Sequence, residues 1–383
     1  MLQQNKKNNN WKTLIIIGIL FFILGFALGI NTYLIPFLRG ALELSTAASY
    51  LVMAATFSSF AIFGIPSGYI IQKIGYKRGI GLSFIIMALG MALFVPSAKM
   101  NSFPLFLFAL FVGGIGQTLL QTSMNPYVVI LGPPESAARR ISLMGIFNKV
   151  ALALGPVALS IFMSLQSISI NDVFKPFFII SIILLVCAGV SFLAPLPEIE
   201  AHQDATTVTG NDTDHSKTSI FQFSHLFFGL GAIFMDIGVE MISLGTVLDY
   251  SNFLNLPDFK FLGFNLLAPE VFVSYATFAM IIGYLAGIIL IPKYLSQQSA
   301  LKFSSLLGLL ITVFILILPS MGSLFLVAFL GLANAFLWPA IWPLSLAGLG
   351  KHTKTGASIL VIGIVGGAII PLLFGWLVDL ISY

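Results

Sequence analysis

Apolar residues run in long unbroken blocks along this chain, not at the alternating spacing of a half-buried strand or on one face of an amphipathic helix. A helix needs about 20 apolar residues to cross a hydrocarbon core about 30 Å thick. Eleven blocks come near that length between charged or turn residues: Thr13–Leu38, Ala47–Ile71, Gly79–Pro96, Phe103–Leu131, Ile141–Met163, Phe177–Ala194, Ile220–Asp249, Val271–Ile291, Ala300–Pro319, Ser323–Leu349 and Ala357–Leu380. The pattern therefore predicts an all-α polytopic membrane protein with eleven spans. The first block is too long for the apolar core of a signal peptide, and the Asn- and Lys-rich leader before it reads as a cytoplasmic tail.

The longest polar stretch, Pro195 to Thr218, lacks any periodic pattern and is expected to be a flexible cytoplasmic linker. It divides the chain into a bundle of six helices over 1–194, a linker over 195–219 and a bundle of five over 220–383. The halves echo each other. Gly64-x-x-x-Gly68 matches Gly283-x-x-x-Gly287, and Gly114, Gln117 and Pro126 match Gly331, Asn334 and Pro343 at one constant offset. Two related bundles around a central path is the architecture of many secondary transporters, although small-xxx-small spacing also has a plain packing role.

Composition sharpens this picture by exclusion. Charged residues make up 8% of the chain, against about 25% in soluble proteins, so a water-facing surface and a soluble enzyme are ruled out. Basic residues are scattered singly, without the patch that nucleic acid requires. The lone cysteine, Cys187, excludes an internal disulfide, and His202, His215, His225 and His352 lack metal-ligand spacing. Gly350-Lys351 fails as a phosphate loop, because Ser345 stands at the first glycine and His352 at the Ser/Thr. No cofactor is expected, and transport would draw on a gradient of the substrate or a coupled ion.

Loop charges set an orientation. With the N-terminus inside, thirteen Lys and Arg lie in inside loops against four outside (Arg39, Lys99, Lys175, Lys260), and Lys149 is left within a span. That bias predicts a cytoplasmic N-terminus in a bacterial inner membrane. The sequon Asn211-Asp212-Thr213 then falls inside and is dismissed.

The loop between spans two and three reads Gly68-Tyr69-Ile70-Ile71-Gln72-Lys73-Ile74-Gly75-Tyr76-Lys77-Arg78. It resembles the signature of the major facilitator superfamily, G-x-x-x-D-[RK]-x-G-x-[RK]-[RK]; the alternative is an ordinary basic loop. The resemblance implies a cytoplasmic gate motif made of Gly68, Lys73, Gly75, Lys77 and Arg78, with Gln72 standing where the family usually has Asp. A narrower resemblance, to the fucose and glucose/galactose branch, rests on Gly116-Gln117-Thr118-Leu119-Leu120-Gln121-Thr122-Ser123-Met124-Asn125-Pro126-Tyr127, Gly145-Ile146-Phe147-Asn148-Lys149, Gly238-Val239-Glu240 and Leu337-Trp338-Pro339-Ala340-Ile341-Trp342-Pro343. It implies the major facilitator fold of two pseudo-symmetric bundles and a sugar substrate. Members have twelve spans, so the resemblance also implies that a last span is missing after Tyr383; a shortened reading frame, a truncated piece and a working eleven-span protein all stay open.

Gln117, Gln121 and Asn125 recur every four residues and form one stripe of amides on span four. Amides offer donors and acceptors together, which suits hydroxyls, and Trp338 and Trp342 offer flat apolar faces. The expected substrate-binding set is Asn31, Gln117, Gln121, Asn125, Asn148, Lys149, Asn334 and Trp338, around a small neutral sugar. Interhelical bonding by the amides and lipid-interface anchoring by the tryptophans are the plain alternatives. Asp236 and Glu240, one turn apart on span seven, are expected to couple a proton or sodium ion; the alternative is that one stays protonated or pairs with Lys149. Depth counting places Lys149 nearer the cytoplasm than either acid and argues against direct contact. Proton-coupled fucose members carry acids where this chain has Thr32 and Gln121, so coupling would have moved to span seven. The reading is a monomeric hexose permease working by alternating access, with a drug or metabolite exporter and a non-transporting sensor or remnant as rivals.

Overall fold

The computed structural model describes residues 2–44, 46–163, 169–193, 219–261 and 264–381. The linker expected over 195–219 lies outside them except for Ser219. Among the described residues, eleven helices are long and apolar enough to cross a membrane. The first six are α1 (Leu2–Ala41), α2 (Thr46–Ile74), α3 (Tyr76–Lys99), α4 (Phe103–Ile130), α5 (Ala137–Ser160) and α6 (Phe174–Leu193). After the linker come α7 (Ser224–Met241), α8 (Val247–Leu254), a short hairpin of β1 (Lys260–Phe261) and β2 (Phe264–Asn265), α9 (Pro269–Leu290), α10 (Gln297–Ile317) and α11 (Ser320–Leu346). The eleventh span is broken into α12 (Thr353–Ile362) and α13 (Gly366–Ile381) by the tight turn Gly363–Val365.

Every predicted span is present, and besides the break in the eleventh a second one differs in shape. The run expected to continue to Asp249 is interrupted by a π-helical turn at Ile242–Thr246, directly after Glu240 and Met241, and α8 follows as a separate helix. Such widened turns re-aim the side chains around them.

The packing repeats as the sequence does. In the first bundle α1 packs on α5, α2 and α3 pack on α4, and α6 covers α3; in the second, α9 and α10 pack on α11, and α7 packs on α11 and α13. Between bundles, α2 meets α12 and α13, while α5 meets α9 and α11. Glycine makes the closest crossings possible. A Cβ on Gly25 or Gly29 of α1 would run into the backbone carbonyls of Asn148 and Leu152 on α5, so that helix pair could not approach as it does with any larger residue. Large apolar side chains such as Phe178, Leu306 and Leu316 point outward, as hydrocarbon surroundings allow. On α10 only 11% of the most apolar stretch is buried; among the described residues no helix covers it as α6 covers α3.

The bundles are joined at the lysine- and arginine-rich end. Gln72 Nε2 donates to Thr355 Oγ1 at 2.7 Å. Gln297 Nε2 donates to the Pro134 carbonyl at 2.9 Å, and its Oε1 accepts from the Ala138 N–H at 3.2 Å. Lys354 Nζ lies 4.9 Å from the Tyr76 ring centre, a cation–π distance. Gly68 belongs to this closure, since a Cβ there would sit 2.5 Å from Ser358. Gly75 supplies the positive φ of 82° that ends α2 and starts α3.

Candidate functional site

Between the bundles lies a hollow with about 60 Å³ of free space, or on the order of four to six water positions. Its polar lining comes from both halves: Gln121 of α4, Asn148 and Lys149 of α5, Glu240 of α7, Tyr284 of α9 and Trp338 of α11. Phe21, Leu24, Phe57 and Ile237 close it with apolar surface. The helix pattern explains who faces inward on α7: Ile237, Glu240 and Met241 share one face by their spacing of three and four.

At the hollow's centre Lys149 Nζ donates to Glu240 Oε1, an ion pair that links the first bundle to the second. Depth counting along the sequence argued against this contact and is corrected here, because crossing helices and a long lysine stem bring groups together that differ in register. Both side chains are buried, so each removes most of the cost of the other's charge. Asn148 Nδ2 donates to the Phe21 carbonyl at 3.3 Å. Gln121 Oε1 accepts from Asn125 Nδ2 at 3.4 Å. The Trp338 and Trp342 rings lie 5.5 Å apart, and Trp342 is fully buried, so it does not anchor at a lipid interface.

The remaining expected residues sit elsewhere. Asn31 Nδ2 donates to Thr56 Oγ1 at 3.1 Å, tying α1 to α2 outside the lining of the hollow. Gln117 and Asn125 are buried in α4 but do not line it, and Thr32 spends its hydroxyl on the Gly29 carbonyl. Asp236 and Asn334 line a different cavity of about 250 Å³ between α7, α10 and α11. Among the described residues neither Asp236 carboxylate oxygen has a hydrogen-bond partner, nor has Asn334 Nδ2. Two acids expected on one face thus open onto two spaces: Asp236 lies with Ala232 and Val239 on the side of α7 that faces α10 and α11, Glu240 with Ile237 and Met241 on the side that faces the first bundle.

These helices and this hollow match known proteins along nearly the whole chain. The Major Facilitator Superfamily model matches residues 17–371. The chain belongs to the major facilitator superfamily. The glucose/galactose transporter of Brucella abortus (strain 9-941) is 33% identical over 370 residues, covering 95% of this chain and 87% of that protein. The L-fucose-proton symporter of Escherichia coli (strain K12) is 27% identical over 389 residues, covering 94% and 85%. The crystal structure of FucP, a superfamily transporter, in the outward conformation superposes with a TM-score of 0.77 at 23% identity, over 97% of this chain and 92% of that one. The chain is a multi-pass membrane protein of a transporter family.

Within that family frame, the loop of Gly68, Lys73, Gly75, Lys77 and Arg78 sits where the bundles close. Gln72, where the signature has an acid, keeps a cross-bundle bond without charge. Lys73 lies 4.7 Å from the ring centre of Tyr69 on its own helix. Two residues escaped the sequence reading. Tyr284 lines the hollow, and its neighbour Gly283 in the small-residue repeat was the available signal. Arg140 donates to the carbonyls of Val128, Val129 and Pro133 at 2.9, 2.7 and 3.0 Å, and so closes the open end of α4. Its position at a helix start gave no hint of that.

Proposed function

We propose that this protein imports a neutral hexose by alternating access, in the inner membrane of a bacterium, as a monomer with its N-terminus in the cytoplasm. The observation that carries the reading is that Gln121, Asn148, Lys149, Glu240 and Trp338 come from both bundles to one hollow between them. Amide groups pair with hydroxyls that both donate and accept, and Trp338 supplies a flat face for the sugar's C–H surface. The named relatives, a glucose/galactose transporter and an L-fucose-proton symporter, support this substrate class. Residues 1–194 and 220–383 act as the two rocking units, joined by 195–219. With the basic end closed and placed in the cytoplasm, the described state presents its hollow to the outer side.

Coupling to a proton or sodium ion falls to Glu240 and Asp236. Glu240 bridges the bundles through Lys149, so any event that neutralises the acid weakens a contact between the parts that must separate. Asp236 lies one turn away in its own cavity. The hollow is mostly apolar but small, and it keeps the Gln121 amide of α4 in its lining, which suits a compact polar cargo better than the wide apolar cavity a drug exporter would need. Uptake of radiolabelled glucose, galactose and fucose into proteoliposomes, with pH and sodium gradients imposed separately, tests the reading. Accumulation of a hexose under one gradient is expected, and no uptake under any condition would refute it.

A further inference from the structure

We infer that Tyr284 is a specificity-determining residue: its phenol hydroxyl hydrogen-bonds one particular hydroxyl of the bound sugar. The inference rests on the hexose reading above and concerns the same hollow.

The polar groups there are mostly committed already. Lys149 and Glu240 hold each other, Asn148 Nδ2 is given to the Phe21 carbonyl, and Gln121 Oε1 is taken by Asn125. Tyr284, like the indole N–H of Trp338, is not committed to any partner among the described residues. It is 3% exposed and lines the hollow, and its hydroxyl, which the protein does not seal off completely, makes no hydrogen bond among the described residues. A phenol left unpaired in a mostly apolar enclosure costs free energy. A ligand hydroxyl would remove that cost, because a phenol can donate and accept at once.

The position is also built. Tyr284 belongs to α9 of the second bundle, yet its ring packs on Gly145 of α5 in the first, where an added Cβ would lie 2.6 Å from the ring. Gly145 is therefore the slot that lets the ring cross the bundle boundary. With two side-chain torsions, a seated tyrosine loses little freedom when it binds. A site built to hydrogen-bond a given hydroxyl rejects the analogue that lacks it, since the site's own polar group is then stranded. Tyr284 would sort hexoses by stereochemistry at one ring position, whereas Trp338 offers an apolar face to any of them.

Equilibrium binding of D-glucose, D-galactose and each singly deoxygenated analogue to the purified protein and to Tyr284→Phe, by calorimetry, is the test. Tyr284→Phe keeps the ring, and its thermal unfolding should match the parent within a few degrees. The expected result is a loss of about three- to tenfold in affinity for the preferred hexose. For one deoxy analogue alone, the one missing the contacted hydroxyl, parent and variant should bind equally. An equal loss across the whole series, or no loss for any sugar, would overturn the inference while leaving the hexose reading intact. If the parent protein binds no sugar in the series, the hexose reading itself fails.

Discussion

Lys149 and Glu240 illustrate how a charge inside a bundle is tolerated: each is costly alone and acceptable as half of a pair. Glu240→Gln or Lys149→Gln should each cost about 3–5 kcal/mol by stranding the partner. The double variant should recover most of that loss, which thermal unfolding in detergent would reveal. Glu240→Gln should also abolish the dependence of uptake on the driving ion gradient. Uptake unchanged at every pH and sodium level would remove Glu240 from coupling. At this scale the sequence exposed which residues were unusual but not whom they met. Asn31 looked like a sugar ligand and instead ties α1 to Thr56, because a one-dimensional pattern does not show which neighbouring helix offers a hydroxyl. Asp236 and Glu240 looked like one site, yet Asp236 opens on the side of α7 that faces α10 and α11 and Glu240 on the side that faces the first bundle.

Single helices were legible almost completely, since membrane thickness dictates their length and lipid dictates their composition. What escaped was local: the π-helical turn after Glu240 and the break between α12 and α13, which leave the apolar pattern undisturbed. Contacts between elements were half legible. The glycine repeats announced close crossings, and three of them, Gly64 and Gly68 against Ser358 and Gly287 against Ser142, lie between the bundles, as does Gly145 on Tyr284 outside those repeats. Substituting Gly68 by Val should hold the basic end apart. A single cysteine placed at Thr355 should then react faster with a membrane-permeant maleimide than the same cysteine in a chain that keeps Gly68. Losing the Gln72–Thr355 bond through Gln72→Ala should act in the same direction but weakly, at about 0.5–1.5 kcal/mol, as befits one neutral hydrogen bond. Arg140→Met should be the more damaging change at that end, because it orphans two carbonyls of α4, those of Val128 and Val129, together with that of Pro133 beyond it.

For the molecule as a whole, the two-bundle plan was visible in the offset between Gly114, Gln117, Pro126 and Gly331, Asn334, Pro343, and the packing repeats accordingly, with α2 against α12 and α13 mirrored by α9 against α5. The hollow itself was not visible, because it exists only where side chains from α4, α5, α7, α9 and α11 converge. On the proposed function, this hollow carries a sugar from one side of the membrane to the other. Counterflow measures that directly: proteoliposomes loaded with unlabelled hexose are diluted into a trace of labelled hexose, with no ion gradient imposed. A transient overshoot of label inside the vesicles is expected, and it should be lost or strongly reduced in Trp338→Ala. Binding of hexose without any overshoot, or an overshoot that Trp338→Ala leaves unchanged, would contradict the proposed function.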